Sequence, residues 1–410
     1  MANVNDLPGV LPVRVLDYDI VSCLGAGRDK HRDALFAGRS GLIENDFPGS
    51  PLKTWIGKVQ GLDIPLPAAL SDWESRNNRL IWKGLQQGSL LHTLDQVRAR
   101  FPSSRIGVIV GSSTASIDRT EEAYSCLEND LSLAQPYRQP KVLNPHSPGE
   151  FIAHCLDLDG PCLTVSTACS SSAKVFASAA RWLQSGIADA VLVAGADSLC
   201  LSVLHGFHSL QLISEQPCRP FDRQRDGINI GEAAGFAILT KDDAGLDDVG
   251  VALSGYGESS DAYHMSHPHP EGRGAHMVME QALSRAGLQL DDVDYINLHG
   301  TATEANDKIE GALVARLFAG KAAHVSSTKA WTGHTLGAAG IVEGIFAMET
   351  IRHGFVPAAL NLTELDEGVQ LNVVSETQGK NVRHVLSNSF GFGGNNCCLA
   401  FSQLSHKKNT

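Results

Sequence analysis

The chain has 410 residues, of which 43% are hydrophobic and 19% charged, and its net charge is −12. That is long enough for two to three folding units, or one large layered unit with a sizeable core. The acidic balance and the absence of a long Lys/Arg run exclude nucleic-acid binding as a main function.

Nine cysteines, an odd number without a C-x-x-C pair, read as free thiols in a reducing compartment. The first 15 residues lack the charged-then-apolar layout of a signal peptide. No apolar run approaches the ~18 residues needed to cross a bilayer. The expectation is a cytoplasmic protein without membrane insertion.

In chain order, "WESRNNRLIWKG" (73–84) predicts a helix with Arg76, Arg79 and Lys83 near one face. That face is either solvated or a local basic patch for an acidic partner. "RIGVIVGSS" (105–113) predicts a buried strand, "CLTVSTA" (162–168) a second and "AVLVAGADS" (190–198) a third, with a helix over 170–185 between the last two. The acidic, Gly-containing stretch 240–250 is the expected seam between halves. A second series follows: strand 251–259, helix 274–287, strand 294–303, helix 306–318, strand 324–329, helix 337–352 and a strand pair near 381–401. "STACSSSAKVFASAARWL" and "KAWTGHTLGAAGIVEGIFAM" share a plan of strand, small-residue turn and Ala/Gly-rich helix, which points to a duplicated α/β layer with a site between the halves.

Cys169 is predicted at a helix start, where unpaired N–H groups and the helix dipole would lower a thiol pKa and serve an oxyanion. On local sequence alone a buried, inert thiol is an equal alternative. His299 ends a predicted strand; Lys329 ends another, with His334 five residues on and Glu343 on the following helix. Each alone reads as a surface or structural residue. "SNSFGFGGNNCC" (387–398) is either a mobile loop with an aromatic gate or an ordinary Gly-rich hairpin, with Cys397 and Cys398 structural. His264, His267 and His269 lie close together but lack a carboxylate or Cys at ligand spacing, so no metal is expected. No G-x-S-x-G of a serine hydrolase is present.

"TACSSS", "PFDRQRDGINIGEAAG" (220–235), "HGTATEANDKIE", "STKAWTGHTLGAAGIVE" and "NSFGFGGNN" together resemble the elongating β-ketoacyl-[acyl carrier protein] synthases of fatty acid and polyketide synthesis, in that family's order and spacing. The resemblance implies a thiolase-like α/β fold: two similar βαβ halves, 1–250 and 251–410, in a five-layered α-β-α-β-α core. It implies Cys169 as acylated nucleophile, His299 and His334 as paired imidazoles, and Lys329 as a buried ammonium supported by Glu343. Asp307 and Glu310 match the acidic positions after the first His. Thr301, Thr303 and Ser266 match the pantetheine contacts, Thr114 the acyl-pocket gate, and Phe392 the gating residue whose N–H joins that of Cys169 in the oxyanion hole. The implied reaction is decarboxylative Claisen condensation with malonyl carrier, without metal or redox cofactor.

The implied partners are an acyl carrier protein and a second thiolase-fold subunit, identical or related. Rival readings are a non-catalytic, chain-length-setting subunit and a simple thioesterase or acyltransferase. The opening "VRVLDYDIVSCLGAG", the stretch 136–160 and Thr114 depart from the housekeeping pattern and hint at a specialised lipid or polyene branch.

Overall fold

The computed structural model describes residues 12–128, 131–241 and 246–404. In chain order its elements include β1 (Val13–Ser22), β2 (Trp55–Gly57), α1 (Arg76–Leu85), β3 (Ile106–Gly111), β4 (Cys162–Val165), α2 (Ser171–Gln184), β5 (Ala190–Asp197), β6 (Ile230–Gly231) and β7 (Ala233–Thr240). The second series is β8 (Val251–Ser260), α3 (Arg273–Ala286), β9 (Tyr295–Asn297), α4 (Glu304–Leu317), β10 (His324–Ser326), α5 (Ala339–His353), β11 (His384–Gly391) and β12 (Asn395–Gln403).

The two series repeat one topology. The first is ordered β4-β3-β5-β7-β1 and the second β10-β9-β11-β12-β8, so each places its third, second, fourth, fifth and first strands side by side. In each, the first three neighbours run parallel and the rest antiparallel. The two sheets join where β1 meets β8, at Val13 opposite Leu253 and Arg14 opposite Ala252. The parallel central strands β3 and β5 are buried along their length and read as continuous apolar runs.

α2 and α5 pack on each other and on strands of both sheets, making the middle layer. α1 covers the first sheet from outside and α3 the second. A helix between two sheets must be apolar or small all round. α5 is buried from Ala339 to Ile351, and α2 carries Ala173, Val175, Phe176, Ala177 and Ala180 inward. The small residues permit close approach: Gly340 lies against the Ala173 backbone, and Gly111 and Gly195 lie against Ser172. Ser172 Oγ accepts from the Ile341 N–H at 2.9 Å, tying the start of α5 to α2 across the halves.

Several expectations change. The strand expected over 294–303 ends at Asn297, leaving His299 in the following turn. Lys329 does not end a strand: it opens a short helix, Lys329–Thr332. β1 forms from the unassigned opening "VRVLDYDIVS" and β7 from the tail of "GINIGEAAGFAIL"; both are buried almost throughout. β4 is a sheet edge with Cys162 and Leu163 exposed. Of the expected seam, 242–245 lies outside the described residues, as do residues 1–11 of the segment tested for a signal peptide. No helix among the described residues is long and apolar enough to cross a membrane.

Candidate active site

Cys169 sits on a sharp turn between β4 and α2. Ala168 takes φ +52°, a left-handed conformation that a non-glycine residue adopts only when its surroundings hold it there. The serines supply that hold. Ser171 Oγ donates to the Ala168 carbonyl at 2.6 Å and accepts from the Thr167 N–H, while Ser170 Oγ donates to the Thr167 carbonyl at 2.9 Å. The turn places Cys169 ahead of the helix, not within it: Ser170 is the N-cap and Ser171 the first helical residue.

The expected low thiol pKa is therefore corrected. Cys169 is 5% exposed, and burial pushes its thiol up to about 11, against the Lys329 charge and the Phe392 N–H, which favour the thiolate. Desolvation outweighs the helix start.

His299 follows β9. The turn after it needs positive φ at Gly300 (+37°) and Ala302 (+64°). Two acids from the first turns of α4 hold that turn. Glu310 accepts from the His299 and Gly300 N–H groups at 2.8 Å each, and Asp307 accepts from the Ala302 N–H at 3.2 Å and the Phe221 N–H at 2.8 Å. Both carboxyls are buried and raised by desolvation. This explains the spacing of "HGTATEANDKIE": the acids face back onto the strand end. Asn388 Nδ2 donates to Glu310 at 3.1 Å, a contact without a local sequence signal.

Lys329 Nζ donates to Glu343 Oε1 and to the His299 carbonyl, each at 2.5 Å, and lies 3.4 Å from His299 Nδ1. Lys329 and Glu343 are 2% and 3% exposed. Burial raises the Glu343 carboxyl to about 7, opposed by the Lys329 ammonium. An ammonium has no lone pair to offer, so His299 Nδ1 is the acceptor and its proton resides on Nε2.

His334 does not sit in a strand-end turn like that of His299. Its backbone bridges to Ile230 in β6. Its Nε2 lies 3.0 Å from Cys169 Sγ, and its Nδ1 has no partner. A buried N–H is rarely left unpaired, which places the proton on Nε2 facing the sulfur. Both imidazoles are held well below their ordinary pKa by burial and the nearby Lys329 charge, so they are neutral at pH 7. Their rings stand 5.6 Å apart, nearly perpendicular. The His334 Nε2–H thus meets the Cys169 sulfur, with the His299 ring beside that of His334.

These three side chains open onto a cavity of about 610 Å³. Phe392, Phe390, Thr301, Thr303 and Ser266 line it. Thr301 Oγ1 and Thr303 Oγ1 are 2.9 Å apart. Phe392 stacks on Phe207 at 5.6 Å, and its loop is tied to the opposite rim by the Gly393 N–H to the Met265 carbonyl, 2.7 Å. Phe390 lies in the quoted "NSFGFGGNN" stretch but takes no role of its own from it, and Phe207 stands in no motif whose spacing carries chemistry.

Thr114 is not among the residues lining this cavity: its hydroxyl donates to Asp197 at 2.7 Å. His264 and His267 sit at the rim with their Nδ1 atoms 3.1 Å apart, while His269 packs on Tyr263 instead. No group of three or more His, Cys, Asp or Glu among the described residues is placed to hold a metal.

Comparison with known proteins decides the family. The Beta-ketoacyl synthase N-terminal domain matches residues 87–244 and its C-terminal domain residues 251–363. The 3-oxoacyl-[acyl-carrier-protein] synthase 2 of Vibrio harveyi is 33% identical across 96% of this chain and 99% of its own; that of Coxiella burnetii is 31% identical across 96% and 98%. The chain belongs to the β-ketoacyl synthases. Among solved structures, the complex of the ketosynthase ApeO with its chain length factor ApeC from Xenorhabdus doucetiae contains a chain 35% identical to this one. The two superpose with a TM-score of 0.87 over 96% of this chain and 98% of that one. A β-ketoacyl synthase from Burkholderia phymatum is 27% identical with a TM-score of 0.84, over 96% and 100%. The fold is the thiolase-like α/β fold of these condensing enzymes.

Within that family fold the basic face of α1 takes a different meaning. Arg76 is not a free cation: it donates to buried Glu232 at 2.6 and 2.8 Å. Arg79 pairs with Glu74 and donates to the Leu62 carbonyl. The first cation of that face is an internal strut, neither solvated nor free for an acidic partner.

Proposed function

We propose that the protein acylates Cys169 from a carrier thioester and condenses that acyl group with malonyl carrier, releasing CO2 and a β-ketoacyl carrier thioester. The observation that carries this reading is the placement of Cys169, His299 and His334 on one cavity, with His334 Nε2 3.0 Å from the thiol and the two neutral imidazoles 5.6 Å apart. In the first half-reaction the sulfur attacks the thioester carbonyl. The Cys169 and Phe392 N–H groups hold the tetrahedral oxyanion, and the carrier thiol leaves with the proton. In the second, the C–CO2 bond of malonate breaks and its electron pair becomes an enolate. The His299 and His334 Nε2–H groups hold the enolate oxygen. The carbon then attacks the acyl-Cys carbonyl and the Cys169 thiolate departs.

Lys329 and Glu343 fix the His299 tautomer, while Asp307 and Glu310 fix its turn. Thr301, Thr303 and Ser266 on the cavity wall fit a pantetheine arm; Thr114, bonded to Asp197 away from the cavity lining, is given no gating role. The repeated strand order supports division into halves at 250/251. An acyl carrier and a second thiolase-fold subunit are the proposed partners. The bare β4 edge, with Cys162 and Leu163 exposed, supports a dimer, and the relatives' complexes with chain length factors favour a related subunit as that partner. Nine unpaired thiols support a cytoplasmic setting.

The test is CO2 release from malonyl carrier by acyl-primed protein. Replacing His299 or His334 by Ala should lower release ~10²–10³-fold, the usual effect of losing one such donor, while Cys169 still acylates. Undiminished release would overturn the assignment.

A further inference from the structure

His334 lacks the usual means of fixing an imidazole. A catalytic or ligating His ordinarily has its second nitrogen held by a carboxylate or carbonyl, but His334 Nδ1 meets no hydrogen-bonding group of the described residues. Its aim must come from its backbone. That backbone is held on both sides. Upstream, the His334 N–H donates to the Asn229 carbonyl at 2.7 Å, and the Gly231 N–H donates to the His334 carbonyl at 3.0 Å, so the residue rides on β6 as an added strand. β6 in turn pairs parallel with β2, Gly231 opposite Gly57.

The Thr332 carbonyl points between those two glycines. A methyl group on either would overlap that oxygen, and the obstacle is backbone that no rotamer change can move. Downstream, the Gly337 N–H donates to Asp197 Oδ2 at 2.6 Å, closing a turn with Leu336 at φ +56°. Asp197 is completely buried, and its carboxylate also accepts from Ser112, Ser113 and Thr114.

We infer that Gly57 and Asp197 are positioning residues for the condensation step: they set where the His334 Nε2–H points by holding the backbone on either side of it. Gly57 lies in "TWIGKV", outside every motif that carries the chemistry. Displacing His334 by an ångström should weaken enolate stabilisation, since misplacement of that size costs up to ~10²-fold. It should spare acyl transfer onto Cys169, which draws on the Cys169 and Phe392 N–H groups. The inference rests on the condensing reading above.

The experiment compares Gly57→Ala, Asp197→Asn and the wild type in two assays. One is Cys169 acylation by intact mass; the other is CO2 release from malonyl carrier per acylated protein. Gly84→Ala is the control, because its added methyl meets the Phe236 and Val21 side chains and no residue of the cavity. The expected result is acylation near the wild-type rate with CO2 release per acylated protein down ~10²-fold in both variants, and no change of that ratio in Gly84→Ala. An unchanged ratio in Gly57→Ala and Asp197→Asn, or an equal fall in Gly84→Ala, overturns the inference. If Gly57→Ala is not recovered folded, Asp197→Asn decides alone. A wild type that acylates but releases no CO2 would instead sink the condensing reading, and this inference with it.

Discussion

At the scale of single residues, the site is an exercise in keeping charges out of the way. Lys329 carries the one cation beside the imidazoles and is 2% exposed, with Glu343 as its ion partner. Removing one member of a buried pair strands the other, which typically costs about 3–5 kcal/mol, while replacing both by apolar groups is often neutral. Lys329→Met should therefore lower the unfolding midpoint sharply, and Lys329→Met/Glu343→Leu should recover much of it. Neither should recover CO2 release, because the His299 tautomer is no longer enforced. Thermal unfolding beside the CO2 assay checks this; recovered activity in the double variant would contradict it.

The same low polarity governs Cys169. With its thiol near 11, alkylation by iodoacetamide should keep rising about tenfold per pH unit from 7 to 9, because only the thiolate reacts. Cys169 reactivity that levels off below pH 9, read from mass mapping, would mean that the thiol is not raised.

At the scale of elements, short segments are aimed by contacts distant in sequence. α1 is held by Arg76 donating to Glu232, which also accepts from the Val59 and Leu199 N–H groups. Arg76→Ala leaves that carboxylate buried without its cation and should destabilise by about 3 kcal/mol while leaving the KM for carrier unchanged. A raised KM at unchanged stability would instead assign this face to carrier docking.

Helix spacing shows only which residues share a face. That Arg76 turns inward depends on an acid 156 positions away, which no local pattern reveals. The α2 and α5 helices were legible because a two-sided helix must be small and apolar throughout. The end of the strand before His299 and the setting of Lys329 differ from expectation because a β-branched or polar run does not announce where pairing stops. Here it stops at Asn297 and Ser326, and tight turns take over.

At the scale of the whole molecule, the chain is one strand order used twice, with Cys169 from the first series and His299 and His334 from the second lining one cavity. The duplication was legible as a repeated strand, small-residue turn and Ala/Gly-rich helix, whereas the Cys-His-His set and the acids behind His299 came from the resemblance to the condensing-enzyme family, each residue alone reading as surface or structural. The thiol's raised pKa, the unpartnered nitrogen of His334 and the Thr114–Asp197 bond could not be read from the sequence, because each depends on three-dimensional burial.

The most direct test of the account is the intact mass of the protein after incubation with a panel of acyl carrier thioesters, with Cys169→Ala alongside. The account predicts a gain of one acyl group in the wild type and none in the variant. A folded wild type that takes up no acyl group from any donor, or a Cys169→Ala protein that still does, would contradict it.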